Sequence, residues 1–426
     1  MPRWIVGVLV AAALAGGLLL LERGGTQPAR GPEASRGPAP AIVVVPPEQR
    51  LLALAPRLES LHATTRDPLV AEGMVRALVK EALVGLDDPD GAAQAVRAAL
   101  RDERDALRQA GWLAIAWSGP PDAELVRQMA ADLAPERPLP VRRAVALAVP
   151  YVEAEAAGEL DAALVQASRE ADLELRRRAL RGLADAARLR DVPFERLVEA
   201  LSDEDAVSRE AAAHGLARIE LVERVSPARL EPIVEILAHA LDDERGGVAH
   251  YAVMALGRTG AAMEPALPRL LQALADERAL VRSNAATALA GGGEAALHAV
   301  RDALAADDGS RAEMLTWTLR LLGPSALPVL EAAAERPEDR LAVFAALRAW
   351  ELDHDDTKAV ARLVARLDAD DPSAVLEAVR GLGRLGPPAA SARPALDRVA
   401  ARLDAMGDQR DLVERALEAA RAATAP

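Results

Sequence analysis

The sequence predicts an all-α protein in which an N-terminal apolar segment and a proline-rich linker lead into a right-handed α-solenoid of about ten helix hairpins. Two observations carry the helical expectation. Hydrophobic residues make up 51% of the 426 positions but aromatic residues only 2%. Ala, Leu and Val therefore supply the apolar mass, and Ala and Leu favour helices where aromatic and β-branched residues would favour strands. The solenoid follows from a third observation, a self-similar pattern with a period of about 33 residues after the linker.

At the N-terminus, Arg3 precedes an uncharged run from Trp4 to Leu21 that stops at Glu22 and Arg23. At ~1.5 Å per residue this run spans about 27 Å, close to the hydrocarbon core of a bilayer. Ala13-Leu14-Ala15 offers a small-x-small cleavage site for a signal peptide. Leu18 to Leu21 continue the apolar run beyond it, which favours an uncleaved signal anchor. The expectation is a single-pass inner-membrane protein with the solenoid on the periplasmic side, the alternative being secretion after cleavage. Residues 1–21 are then the leader, 22–49 the linker and 50–426 the solenoid. Pro28, Pro32, Pro38, Pro40, Pro46 and Pro47 keep the linker extended.

Each repeat opens on an acidic residue. From Asp276 the chain reads Leu280, Val281, Arg282, Ala285, Ala288 and Leu289, the apolar spacing of one helix face. Asp102 with Leu107 and Arg108, Glu136 with Val141 and Arg142, Glu170 with Leu175 and Arg176, and Asp203 with Val207 and Arg209 repeat the pattern. Asp243, Asp308, Asp339 and Asp370 open units without the arginine. The openings fall about 31 to 34 residues apart, except for a longer step between Asp203 and Asp243. The partner helix reads Pro265, Leu267, Leu270, Leu271 and Leu274. Gly260, Gly323 and Gly386 stand between units, where glycine ends one helix and a following proline starts the next. Partial units near Leu51–Leu100 and Ala400–Ala423 read as caps. Acidic residues at the turns are placed to accept helix N-terminal N–H groups.

The run Asp-x-x-x-x-Val-Arg-x-x-Ala-Ala-x-Ala-Leu, matched almost in full from Asp276 to Leu289, resembles the HEAT-repeat family, including its bacterial lyase-like group. The resemblance covers about Leu51 to Ala423. It implies a ladder between neighbouring repeats, built from Asp102, Glu136, Glu170, Asp203 and Asp276 with Arg108, Arg142, Arg176, Arg209 and Arg282. The repeats that lack the arginine depart from it.

Composition excludes several chemistries. The chain has no cysteine, so disulfides, thiol nucleophiles and cysteine metal sites are absent. A formal charge of −14 opposes a nucleic-acid partner. Lys80 and Lys358 are the only lysines, which with the Ala and Gly richness reads as the codon bias of a GC-rich bacterial genome. Gly381, Gly383 and Gly386 match GxGxxG but follow a helix pattern, not a strand, so no dinucleotide cofactor is expected. Asp353, His354, Asp355 and Asp356 read as a solvated loop ahead of a cation site. No HExxH, Walker loop or nucleophile elbow occurs, so no cofactor, metal or catalytic residue is assigned.

The expectation is a non-enzymatic scaffold, held at the membrane, that binds proteins on its concave face through Trp317, Trp350, His250, Tyr251, Arg380 and Arg384. The alternative is a lyase or lyase chaperone for a tetrapyrrole-type ligand, as the lyase-like resemblance implies. Neither a nucleic acid nor a small-molecule substrate is expected.

Overall fold

A computed structural model describes residues 45–84, 89–153, 156–307, 310–337 and 339–425. The predicted leader, nearly all of the linker and Asp308, the opening residue of one unit, lie outside the described residues. Every regular element among the described residues is a helix, and no helix there is long and apolar enough to cross a membrane. From Pro46 onward the chain forms one compact unit.

The repeat predicted around Asp276 shows how the unit is built. Its first helix, Leu267–Ala273, follows a 3-10 turn, and its second helix is Ala279–Ala290. Leu267, Leu270 and Leu274 of the first meet a core that takes Val281, Ala285, Ala288 and Leu289 from the second. Leu271 is only partly buried. Leu280 departs from the expected apolar face and is 65% exposed. It lies one residue off the buried stripe, some 100° around the helix.

Ten second helices follow one another: Asp105–Leu113, Leu139–Ala148, Leu173–Ala186, Ala206–Leu216, Gly246–Gly257, Ala279–Ala290, Ala312–Leu322, Asp339–Asp353, Pro372–Leu385 and Arg410–Ala423. Each packs against the next, and the first helices lie beside them. A single hairpin cannot bury its apolar stripe alone, and stacking makes one continuous core. Small residues set the spacing between layers. A Cβ on Gly383 would stand 3.3 Å from the Ala420 Cα, so these two backbones nearly touch. The long step between Asp203 and Asp243 holds an additional short helix, Leu221–Arg224.

Gly323 and Gly386 end their helices with φ of 86° and 71° and ψ of −156° and −138°. That region is open to glycine and closed to residues with a Cβ. The chain then turns directly into Pro324 and Pro387, each opening a 3-10 turn.

Near the N-terminal end, after two shorter helices, Pro47–Leu52 and Ala55–Thr64, the helix Pro68–Leu83 breaks the pattern. Asp67 caps it, accepting from the N–H groups of Leu69 and Val70 at 2.9 and 3.3 Å. Its buried stripe is Ala71, Glu72, Val75, Val79 and Leu83, while Leu69, Val70 and Met74 are exposed. Glu72 is a carboxylate within an apolar stripe, and its partner lies far along the chain. Both of its oxygens accept from Arg178, at 2.9 and 3.0 Å. This helix thus reaches from the cap to the third of the second helices. Leu139–Ala148, between the two, has no exposed residue at all.

Candidate functional site

The second-helix layer carries the charged rows that the repeat arginines build. Arg142 donates to Glu170 at 2.7 Å, Arg176 to Asp203 at 2.7 Å and Arg209 to Asp243 at 2.6 Å. Each arginine therefore reaches the turn acid of the next repeat. Two of them also close their own turn, as Arg282 does: Arg176 donates to the Glu170 carbonyl, Arg209 to that of Asp203 and Arg282 to that of Asp276, at 2.9, 2.8 and 2.6 Å.

The row differs from the expectation at both ends. Arg108 pairs with Asp132, at 2.5 and 2.6 Å, and not with Glu136, which is exposed. Asp132 is fully buried at the end of the helix Ala123–Asp132, where it also accepts from the Trp112 Nε1 at 2.9 Å. A carboxylate so deeply placed needs both charge-assisted donors. Asp102 takes Arg104 and Asp276 takes Arg278, each two residues on in its own turn. Before Asp276 the preceding helix has Ala249 where Arg209 stands in the repeat before it, so no arginine arrives.

A second row runs alongside. Arg143 pairs with Asp172, and Arg177 with Asp205 through bonds of 2.9 and 2.7 Å. Asp172 and Asp205 are also the helix N-caps, each standing two residues after a turn acid. The turn acids themselves brace the turn: Asp203 accepts from the Asp205 N–H at 3.0 Å, and Asp243 from that of Arg245 at 2.9 Å. Arg177, with the Ser208 hydroxyl and N–H, holds the Asp205 carboxyl far below the usual carboxylate range. At the next step the polarity reverses, with Glu210 on the helix and Arg245 in the turn, and the two still pair.

Two expected partner-binding residues, His250 and Tyr251, sit in this layer beside His214. The Tyr251 ring packs edge-on to both imidazoles, with centroids 4.8 Å from His214 and 4.9 Å from His250. The Asn284 side-chain amide donates to the His250 Nδ1 at 2.8 Å. Burial, followed by the charges of Arg218 and Arg181, pushes the His214 pKa down. Arg181, Asp185, Glu210, His214, Arg218 and Tyr251 border an open hollow of about 510 Å³.

Trp317 and Trp350 are both partly buried and pack against the core. Arg320 pairs with Glu351 across neighbouring helices. The Trp350 Nε1 donates to Asp356 at 2.8 Å, at the start of the next first helix. Asp355 caps that helix through the Lys358 N–H, and Asp353 accepts from the Asp355 N–H. The carboxylates of the acidic loop are thus engaged in shaping its turn around His354, whose φ is 55°. Of the GxGxxG glycines, Gly381 packs on Leu347 and Gly383 on Ala420, inside and between helices.

Arg380 and Arg384 lie on Pro372–Leu385. Arg380 bonds Glu377 at 2.6 Å and Arg384 bonds Glu351 at 2.6 Å. Both border an open groove of about 680 Å³ against Arg410–Ala423.

Comparison with known proteins agrees with this architecture. A family model describing HEAT repeats matches residues 233–320. Residues 233–320 are HEAT repeats. No curated protein matches the sequence. Among solved structures, the HEAT array is similar to a Kap121p mutant (14% identity, TM-score 0.57). It is also similar to importin beta (15%, 0.55) and to Kap95 of a Kap95:Nup1 complex (16%, 0.54). Each match covers 88% of this chain but 46%, 57% and 55% of the respective relative, so the chain spans about half their length.

Within the HEAT frame, sequence reasoning missed Asp132, His214, Glu351 and the pairing of Glu72 with Arg178. The run Arg176-Arg177-Arg178 held a signal. Three consecutive arginines on a helix point in three directions, and each needs its own acid: Asp203, Asp205 and Glu72.

Proposed function

We propose that this protein is a non-enzymatic scaffold that binds other proteins on the concave face formed by its second helices. The observation that carries this reading is the change in exposure along the second-helix layer. The helix Leu139–Ala148 is covered throughout, whereas beyond it the layer presents Arg181, Tyr251, Met254 and Arg384 to solvent or partly so. Exposed or half-exposed Arg and Tyr over a rigid, close-packed base are the side chains that anchor protein interfaces. The similarity to importin beta and the Kap proteins supports the same fold. We further infer that the apolar Trp4–Leu21 segment holds the array at a membrane, on its extracytoplasmic side.

In-cell crosslinking of the full-length protein, followed by affinity capture and mass spectrometry, tests this. The wild type is compared with a Tyr251→Ala/Arg384→Ala variant. A dominant envelope protein captured by the wild type and lost in the variant is the expected result. A co-purifying small molecule without any protein partner overturns it and favours the ligand-handling alternative.

A further inference from the structure

The last four second helices, Ala312–Leu322, Asp339–Asp353, Pro372–Leu385 and Arg410–Ala423, carry as many acidic as basic residues, but their arginines gather locally on one stretch. Three guanidinium groups converge on one carboxylate. Arg348 and Arg384 reach the Glu351 Oε1 at 2.8 and 2.6 Å, and the Arg320 Nε lies 3.1 Å from Oε2. Neither the Arg320 Nε nor the Arg348 Nε completes a hydrogen bond, although both atoms are buried. A single carboxylate leaves most of this positive charge uncompensated.

The surplus continues into the adjoining groove. Val379, Gly383, Ala416 and Ala420 line its apolar part, and Arg380, Arg384 and Arg415 its charged part. Arg380 is paired with Glu377, but Arg415 donates only to the Asp411 carbonyl, at 3.1 Å, and meets no carboxylate among the described residues. Together, Arg320, Arg348, Arg380, Arg384 and Arg415 face Glu351 and Glu377; Glu313 on the first of these helices and Asp411, Glu414 and Glu418 on the last are exposed but do not line the groove.

We propose that this groove takes an acidic, alanine- and leucine-rich helical segment of a partner protein; the proposal rests on the scaffold reading and names the partner's chemistry. Neighbouring helices in a layer lie about 9 Å apart, and the furrow between them accepts the ridge of a third. Arg380 and Arg384, four residues apart, match glutamates spaced i and i+4 on such a helix, where each guanidinium can bind a carboxylate by two parallel hydrogen bonds. The small floor at Gly383, Ala416 and Ala420 suits Ala and Leu. A nucleic acid fits less well, because no aromatic side chain lines the groove for base stacking and the chain as a whole repels a polyanion.

The test uses the purified full-length protein in detergent. The probe is a fluorescein-labelled peptide of Glu-Ala-Leu-Ala units, about four helical turns long, read by anisotropy. Binding should weaken with added salt. It should also weaken at least about tenfold when every glutamate is replaced by glutamine, and again for Arg384→Glu/Arg415→Glu. Arg169→Glu, on an exposed pair far from the groove, should leave it unchanged. Circular dichroism and the milder Arg384→Gln/Arg415→Gln variant separate lost binding from lost folding. Equal binding by the glutamine peptide, unchanged binding by both groove variants, or equally tight binding of a single-stranded oligonucleotide overturns the proposal. If the partner captured in cells still binds Arg384→Glu/Arg415→Glu, the acidic-helix assignment fails while the scaffold reading stands. If no protein is captured at all, the scaffold reading itself fails.

Discussion

Glu72 and Arg178, 106 positions apart, form a two-pronged ion pair in which both residues are buried, at 4% and 6% exposure. Burial pushes the Glu72 carboxyl upward, but Arg178 and Arg76 together pull it below the ordinary range. Arg178 is further held by Glu174 at 2.6 Å and by the Arg143 carbonyl at 2.9 Å. In an array where each repeat otherwise meets its neighbours, this pair ties the N-terminal helix to a repeat well beyond the first.

Glu72→Ala should therefore free the helix Pro68–Leu83. It leaves Arg178 buried with one acid fewer, at a cost of about 3 kcal/mol. Hydrogen exchange should show faster labelling of residues 68–83 and newly accessible amides in 139–148, with the later repeats unchanged. Unaltered exchange in both segments would mean that the pair does not hold the helix down.

Leu270→Asp places a charge between layers where the leucine is fully buried. The expected loss is about 4 kcal/mol or more, and it should propagate to adjoining repeats because stability is shared between neighbours. Leu271→Asp should cost much less, since that side chain is only partly buried. Thermal melts of the two variants distinguish the positions, and equal melts would refute the assigned face.

Stability should depend on pH in two windows. The pKa of His214 is depressed, so the fold prefers the neutral ring. That preference is fully present above the unfolded value of about 6.5 and is lost as pH falls through the lower folded value. Glu72, Asp172, Asp205 and Asp276 are depressed carboxylates. Their contribution is present above the unfolded range near 4 and is lost at more acid pH. Urea midpoints measured against pH should show both falls, and His214→Gln should abolish only the upper one. A variant that kept the upper fall would show that another group causes it.

Gly383→Leu should push Pro372–Leu385 away from Arg410–Ala423, because its Cβ would already stand 3.3 Å from the Ala420 backbone. Overpacking of this kind costs about 1–3 kcal/mol. The last hairpin should melt early, and the acidic peptide should lose its groove while Tyr251→Ala leaves that binding intact.

The hairpin rhythm was legible because each buried stripe is local: a helix of the stack declares its inner face within a few turns, as Val281, Ala285 and Leu289 do. Arg142, Arg176 and Arg209 were legible for the same reason, since the partner of each stands one repeat away in an equivalent turn. What escaped depends on three-dimensional depth. Asp132 outcompetes Glu136 for Arg108 only because the end of its helix is buried beside Trp112. Glu351 becomes a hub only once Arg320, Arg348 and Arg384 arrive from three helices. Leu280 marks the finer limit, because the periodic pattern spans more of the helix than the contact covers.

The reversed pair Glu210–Arg245 has a consequence for the whole array. Arg143–Asp172 and Arg177–Asp205 place the cation on the helix and the anion in the following turn, while Glu210–Arg245 exchanges them. Consecutive repeats are otherwise similar enough that a nascent chain could dock the wrong pair. Were the hairpin carrying Arg177 to stack directly on the turn of Arg245, two guanidinium groups would meet. Were Glu210 to meet the turn of Asp172, two carboxylates would. The inverted rung thus sets a like-charge penalty against docking these repeats out of turn.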